Sequence, residues 1–124
     1  DAQIDSLIRG KDDWRTSRHA LASSTKVQDK ILEEARKAIG KGTENHHWMN
    51  EHKLINSLLT GEYKGLNREG LSRYQLDFIA HFELRNAILI GMGLSYEQRK
   101  GALKVEAMTW KEVHDLTLAP KEVA

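Results

Sequence analysis

The sequence predicts an all-α fold, a compact bundle of four or five helices led by a long amphipathic N-terminal helical segment. Three observations predict it. The only proline, Pro120, stands near the end, so no interior position loses its backbone donor. Runs of β-branched residues are few, which disfavours strands. Two helix starts are spelled in nearly the same words, Gly70-Leu71-Ser72-Arg73-Tyr74-Gln75 and Gly93-Leu94-Ser95-Tyr96-Glu97-Gln98.

The chain divides into a helical segment over 1–40 that can serve as an oligomerisation stem, a helical core domain over 41–117 and a flexible tail over 118–124. In the first segment Leu7, Trp14, Leu21 and Ala35 recur at seven-residue spacing, joined by Ile4 and Ile31. Gln28 interrupts that series, and Ser23-Ser24-Thr25 is weak helix former, so a kink, phase change or break is expected near Ser23. Apolar spacing resumes at Val27, Ile31, Leu32, Ala35 and Ala38. One or two amphipathic helices packed on the domain, or an oligomerising stem, satisfy this pattern.

Gly40-Lys41-Gly42 ends the segment. Thr43 is the expected cap of the next helix, with Glu44 in its first turn at the positive end of the helix dipole. That helix runs to about Thr60, where Gly61 stops it, and Trp48, Ile55, Leu58 and Leu59 mark its buried side. A Gly- and Asn-rich loop follows. Ser72 and Gln75 form a capping box, flanked by Leu71 and Leu76 as a hydrophobic staple. The helix they open is apolar nearly all round and is expected to be the central one. Ser95 and Gln98 repeat the box. The last helix runs from Tyr96 to about Leu116, with Leu103, Ala107, Trp110 and Val113 facing inward.

At 124 residues the chain is one domain or part of a larger protein. It opens at Asp1 and not at a methionine, which reads as an excised domain or a processed product. Cysteine is absent, which removes disulfides and thiolate chemistry and fits a reducing cytosol without excluding secretion. The expected compartment is the cytoplasm. Nineteen basic against 18 acidic residues give a net charge of +1, without the global basic excess that nucleic-acid binding usually leaves. No apolar run reaches membrane length.

The densest chemistry lies in Glu44-Asn45-His46-His47-Trp48-Met49-Asn50-Glu51-His52, which holds half of the six histidines. His47 and Glu51 are four apart and share a helix face. A metal set of His47, Glu51 and His52 is conceivable. So is a nuclease of the His-Asn-His type, with His46 or His47 as base, Asn50 as orienting group and Glu51 beside them. Known ligand spacings fit incompletely. Glu44-x-x-His47 has no second Glu-x-x-His to complete a di-metal bundle, and His-Glu-x-x-His is absent. No hairpin signal surrounds the cluster. The plainer reading places His46 and Asn50 on a solvated face, and His52, in phase with Trp48 and Ile55, half-buried and hydrogen-bonded.

The helix–glycine–helix stretch over 86–103 invites a helix-turn-helix reading, but its inward position falls on Glu97 or Arg99, a buried charge with no evident partner. Arg99, Lys100 and Lys104 still offer a basic face for phosphates, so contact with nucleic acid stays open. Aromatic and Met residues beside charged ones suit protein recognition better, with Trp48, Met49, Tyr63, Tyr96, Arg99 and Lys100 as contact residues.

Certain wording carries a further signal: Leu54-Ile55-Asn56, Leu59-Thr60-Gly61-Glu62-Tyr63-Lys64-Gly65-Leu66-Asn67-Arg68, Glu83-Leu84-Arg85-Asn86, and Leu89 through Lys100. The block over 44–104, about half the chain, resembles the helical C-terminal part of some prophage antirepressor or KilA-type regulatory proteins. The resemblance implies a DNA-binding or repressor-binding region elsewhere in a longer protein, with this piece serving assembly or partner contact. No KilA-type DNA-binding segment is visible in these residues. The leading expectation is therefore a phage-type regulatory interaction module that self-associates, binds a protein such as a repressor, needs no cofactor and does not enter a membrane. The alternative is a metal-dependent nuclease or toxin centred on the 44–52 cluster.

Overall fold

The computed structural model describes residues 21–114, which form four helices and one short 3-10 turn with no strand among them. Residues 21–38 are helical (α1). α2 spans Asn45–Thr60, the 3-10 turn Arg68–Gly70, α3 Arg73–Gly91 and α4 Tyr96–His114. All-α architecture is thus established for these residues. The part of the expected N-terminal stem before residue 21, and the tail over 118–124, lie outside them.

Both capping boxes form as written. Gln75 N–H donates to Ser72 Oγ at 3.2 Å and Ser72 N–H to Gln75 Oε1 at 2.9 Å. The Ser95–Gln98 pair repeats this with the same two distances. Between α3 and α4 the chain turns on Gly93, whose φ of +86° is left-handed. There Leu94 N–H donates to Leu89 O at 3.2 Å and Gly93 N–H to Ile90 O at 3.0 Å, the Schellman pair that closes a helix end.

The core gathers Leu54, Ile55 and Leu58 of α2, Leu76, Phe78, Ile79, Phe82 and Leu89 of α3, and Leu103 and Ala107 of α4. Leu21 of α1 joins it. Phe78 stacks tilted on Phe82 with centroids 4.7 Å apart and meets Trp110 edge-on at 5.1 Å. Arg85 of α3 clamps Glu106 of α4, its Nε donating to both carboxylate oxygens at 2.9 and 3.1 Å.

Four sequence expectations change. α1 does not break near Ser23: it is helical straight through Ser23-Ser24-Thr25. The hydroxyls of Ser24 and Thr25 lie 2.9 Å from Leu21 O, so each shares its one proton between its own helix and Glu83 of α3. Glu44, not Thr43, is the N-cap of α2. α3 is the most buried helix, as expected, but two of the apolar residues that it carries, Leu84 and Ile88, are exposed. Val113, expected to face inward, is also exposed.

Candidate functional site

The nine-residue cluster comes apart in three dimensions because successive helical positions point about 100° apart. His46 is exposed, 3.6 Å from Glu44 Oε2 and against the His47 ring at a centroid distance of 3.9 Å. His47 acts as a cap: its Nδ1 accepts the Glu44 N–H at 2.9 Å. Burial, then the nearby Arg36 and His46, push its pKa below the usual imidazole value. Asn50 is exposed. His52 is half-buried, and its Nε2 lies 2.8 Å from Asp29 Oδ1 of α1. Glu51 turns the other way and is buried. Among the described residues no three His, Asp or Glu side chains converge on a metal position. The metal set His47, Glu51 and His52 is therefore not assembled around one point, whereas of the nuclease set His47, Asn50 and Glu51 border one groove and His46 is not among its lining residues.

Glu51 instead joins a polar network at the centre of the bundle. Each of the four helices contributes one buried member: Gln28 from α1, Glu51 from α2, Asn86 from α3 and Arg99 from α4. Arg99 engages Glu51 through both terminal nitrogens, Nη1 to Oε1 and Nη2 to Oε2, the latter at 3.0 Å. Its Nη1 also donates to Asn86 Oδ1 at 2.9 Å, and its Nε donates to Leu94 O at 3.3 Å. Asn86 Nδ2 donates to both Glu51 Oε1 and Gln28 Oε1 at 2.9 Å. A bidentate, hydrogen-bonded pair is the form in which buried charge is tolerable. Gln28 Nε2 is buried without a hydrogen-bond partner among these residues.

A second buried carboxylate sits one turn away. Glu83 of α3 receives Thr25 Oγ1 at 2.9 and 3.0 Å and Ser24 Oγ at 3.1 Å, both from α1. Arg68, from the 3-10 turn, donates to Thr25 Oγ1 at 2.7 Å and reaches Glu83 Oε2 at 3.4 Å. Burial raises the Glu83 pKa, and the Arg68 charge and the two hydroxyls only partly oppose it.

No known protein family, curated protein or solved structure matches this chain. The site must be read from its own residues.

Of the six expected contact residues, Met49 and Tyr63 are exposed. Trp48 is half-buried, its indole N–H donating to Asp29 O at 3.3 Å, so it ties α2 to α1. Tyr96 is half-buried, and burial first, then the neighbouring Tyr63 hydroxyl, raise its phenol pKa. Lys100 is half-buried, with its ammonium 5.0 Å from the Tyr63 ring centre. Arg99 departs from expectation most. It is buried, not part of a basic surface, and its partner is Glu51. The sequence did hold the signal: Glu51 shares the helical phase of Trp48 and Ile55, and Arg99 that of Leu103 and Ala107. A charged residue at a core phase on each of two helices asks for a pairing. The histidines on either side of Glu51 mask that signal.

Glu51 and Arg99 also line a groove of about 460 Å³ whose other walls are apolar residues of α1, the end of α3 and the α3–α4 turn. Arg36, His47, Asn50, Ser95 and Tyr96 supply its remaining polar lining. No helix among the described residues is long and apolar enough to cross a membrane.

Proposed function

We propose that this domain is a regulatory protein–protein interaction and assembly module of the phage or prophage antirepressor type, working in the cytoplasm and self-associating through α3 and α4. One observation carries the reading. Leu84 and Ile88 on α3, Met92 at its C-cap, and Val105, Met108 and Val113 on α4 are between 45% and 67% exposed. Leu84, Ile88 and Met92 recur every fourth residue, so they share one face. Core positions close by are filled, so these side chains are not spare core. Large aliphatic and Met side chains at helical spacing on two neighbouring helices match the composition of interface centres. A second copy is a suitable occupant because a net charge of +1 per chain sets up little repulsion. The commitment of Glu51 to Arg99 and of His47 Nδ1 to the Glu44 N–H argues against the nuclease alternative.

Light scattering of the 124-residue chain across a concentration series tests this. A dimer or larger species that Ile88→Glu with Met108→Glu reduces to a folded monomer supports the reading. A strictly monomeric parent at high concentration overturns it. A pull-down that retains one repressor-like protein, unaccompanied by hydrolysis of nucleic acid, supports the regulatory part.

A further inference from the structure

The groove over the Glu51–Arg99 pair has the make-up of a small-molecule site. Its volume of about 460 Å³ falls within the range of natural ligand pockets. One wall is apolar: Leu32 and Ala35 of α1 and Ile39 just past its end line the groove with Ile90 and Leu94. The polar lining is not electrically balanced. Glu51 is the one carboxylate among the lining residues, and Arg99 already answers it. Arg36 is left as uncompensated positive charge. Among the described residues only its Nε is spent, donating to Gly42 O at 2.9 Å. Both terminal nitrogens remain for a planar oxyanion.

His47 adds a second donor. Its Nδ1 is occupied by the Glu44 N–H, so the neutral ring carries its proton on Nε2. The Arg36 charge and burial both favour that neutral form. Asn50 contributes an amide on the same lining. The groove therefore pairs a cation and a neutral donor with an apolar bed, and it lacks any free carboxylate that would suit a cationic ligand.

The geometry points to a binding site for a small organic anion, with its carboxylate or phosphate head on Arg36 and His47 and a ring-sized apolar body against Leu32, Ala35, Ile39, Ile90 and Leu94. This site is separate from the exposed α3–α4 face and does not depend on it. Occupancy joins α1 to the start of α4, two elements that otherwise meet here through the buried polar network.

The experiment is a titration of the uniformly ¹⁵N-labelled 124-residue chain followed by amide shifts. The probes are 2-naphthoate, 1-naphthyl phosphate and the neutral 2-naphthamide. The expected result is saturable binding of at least one anion, with shifts centred on Arg36, His47 and Tyr96. The amide should bind about tenfold or more weakly, the loss expected for one charge-assisted contact. Arg36→Gln should weaken anion binding about tenfold while leaving the amide unchanged. Ala35→Phe, which fills the bed, should abolish binding of both classes in a folded chain. Comparison of the two anions assigns the head group. Equal affinity of acid and amide, indifference to Arg36→Gln in a folded variant, shifts centred on Ile88 and Met108, or no saturation at concentrations on the order of 1 mM would each overturn the proposal.

Discussion

Breaking the Glu51–Arg99 pair from one side should be far worse than removing both partners. Glu51→Leu strands a buried guanidinium that now has only Asn86 Oδ1 and Leu94 O to serve. Arg99→Met strands a buried carboxylate with Asn86 Nδ2 as its remaining donor. Either single change should cost about 3–5 kcal/mol, the usual result of uncovering a buried charge. The double variant leaves no buried charge. It takes the partners of Asn86 Oδ1, of one Asn86 Nδ2 hydrogen and of Leu94 O, a loss centred on Asn86 of about 1–3 kcal/mol. Apolar replacement of a buried pair tends to return about 1–4 kcal/mol. The double variant should therefore lie within about 2 kcal/mol of the parent, and the two sites should couple by at least about 4 kcal/mol. Urea unfolding followed by tryptophan fluorescence and helical ellipticity measures all four corners. Each single loss is a large share of the roughly 5–15 kcal/mol that holds a domain together. A fixed concentration of a stabilising osmolyte keeps the singles on scale. Single losses below about 1 kcal/mol, or a double variant as poor as the sum of the singles, would refute the reasoning.

Three further outcomes follow from other parts of the molecule. The raised pKa of Glu83 means that the folded chain holds this proton more tightly than the unfolded one, so its contribution is full below pH 4.5 and is lost as pH rises through the folded value. Glu83→Gln should remove that decline, seen as a smaller stability difference between pH 4.5 and pH 7 than in the parent, and equal pH slopes would contradict it. Gly93→Ala and Gly101→Ala should act in opposite directions on the urea midpoint: the first forces a Cβ into the left-handed region and should lose about 1–2 kcal/mol, the second sits in the exposed interior of α4 and should gain about 1 kcal/mol. Plasmid and tRNA incubated with the chain and a divalent cation should stay intact, whereas cleavage that EDTA stops and His47→Ala abolishes would restore the nuclease alternative.

The parts of the fold legible in the sequence were those written locally. Ser72 with Gln75 and Ser95 with Gln98 announce α3 and α4 to the residue, because a capping box is satisfied within four positions. Glycine stops read equally well for the same reason. Burial of polar groups was not legible, since it is decided by a partner far away in sequence. Arg99 looked like a misplaced charge because its partner is 48 residues distant. Ser24 and Thr25 looked like helix breakers because Glu83, which they serve, is on another helix. Leu84, Ile88 and Val113 were misread in the other direction: apolarity licenses burial but does not require it.

Gln28 shows how these misreadings connect. It stands where the seven-residue series of Leu7, Trp14, Leu21 and Ala35 expects an apolar side chain, and it is fully buried there. It is therefore a member of the series and not an interruption. α1 meets α3 through polar contacts at successive turns, Ser24 and Thr25 on Glu83 and then Gln28 on Asn86. An apolar seam tolerates sliding by a turn, whereas a seam with directional bonds does not: a one-turn shift would strip Glu83 of both hydroxyl donors and Asn86 of its Gln28 acceptor, at about 1–3 kcal/mol for each buried group left short. A single buried polar residue is known to fix register in paired helices at some cost in stability. Here the seam has four, Ser24, Gln28, Glu83 and Asn86. The inside of this bundle thus carries polar groups that specify one arrangement of α1, while aliphatic side chains that would have made a stronger core stand on the outer face of α3 and α4. A domain selected for solitary stability would gain by exchanging the two. One that must present a fixed surface to another chain is served by this distribution.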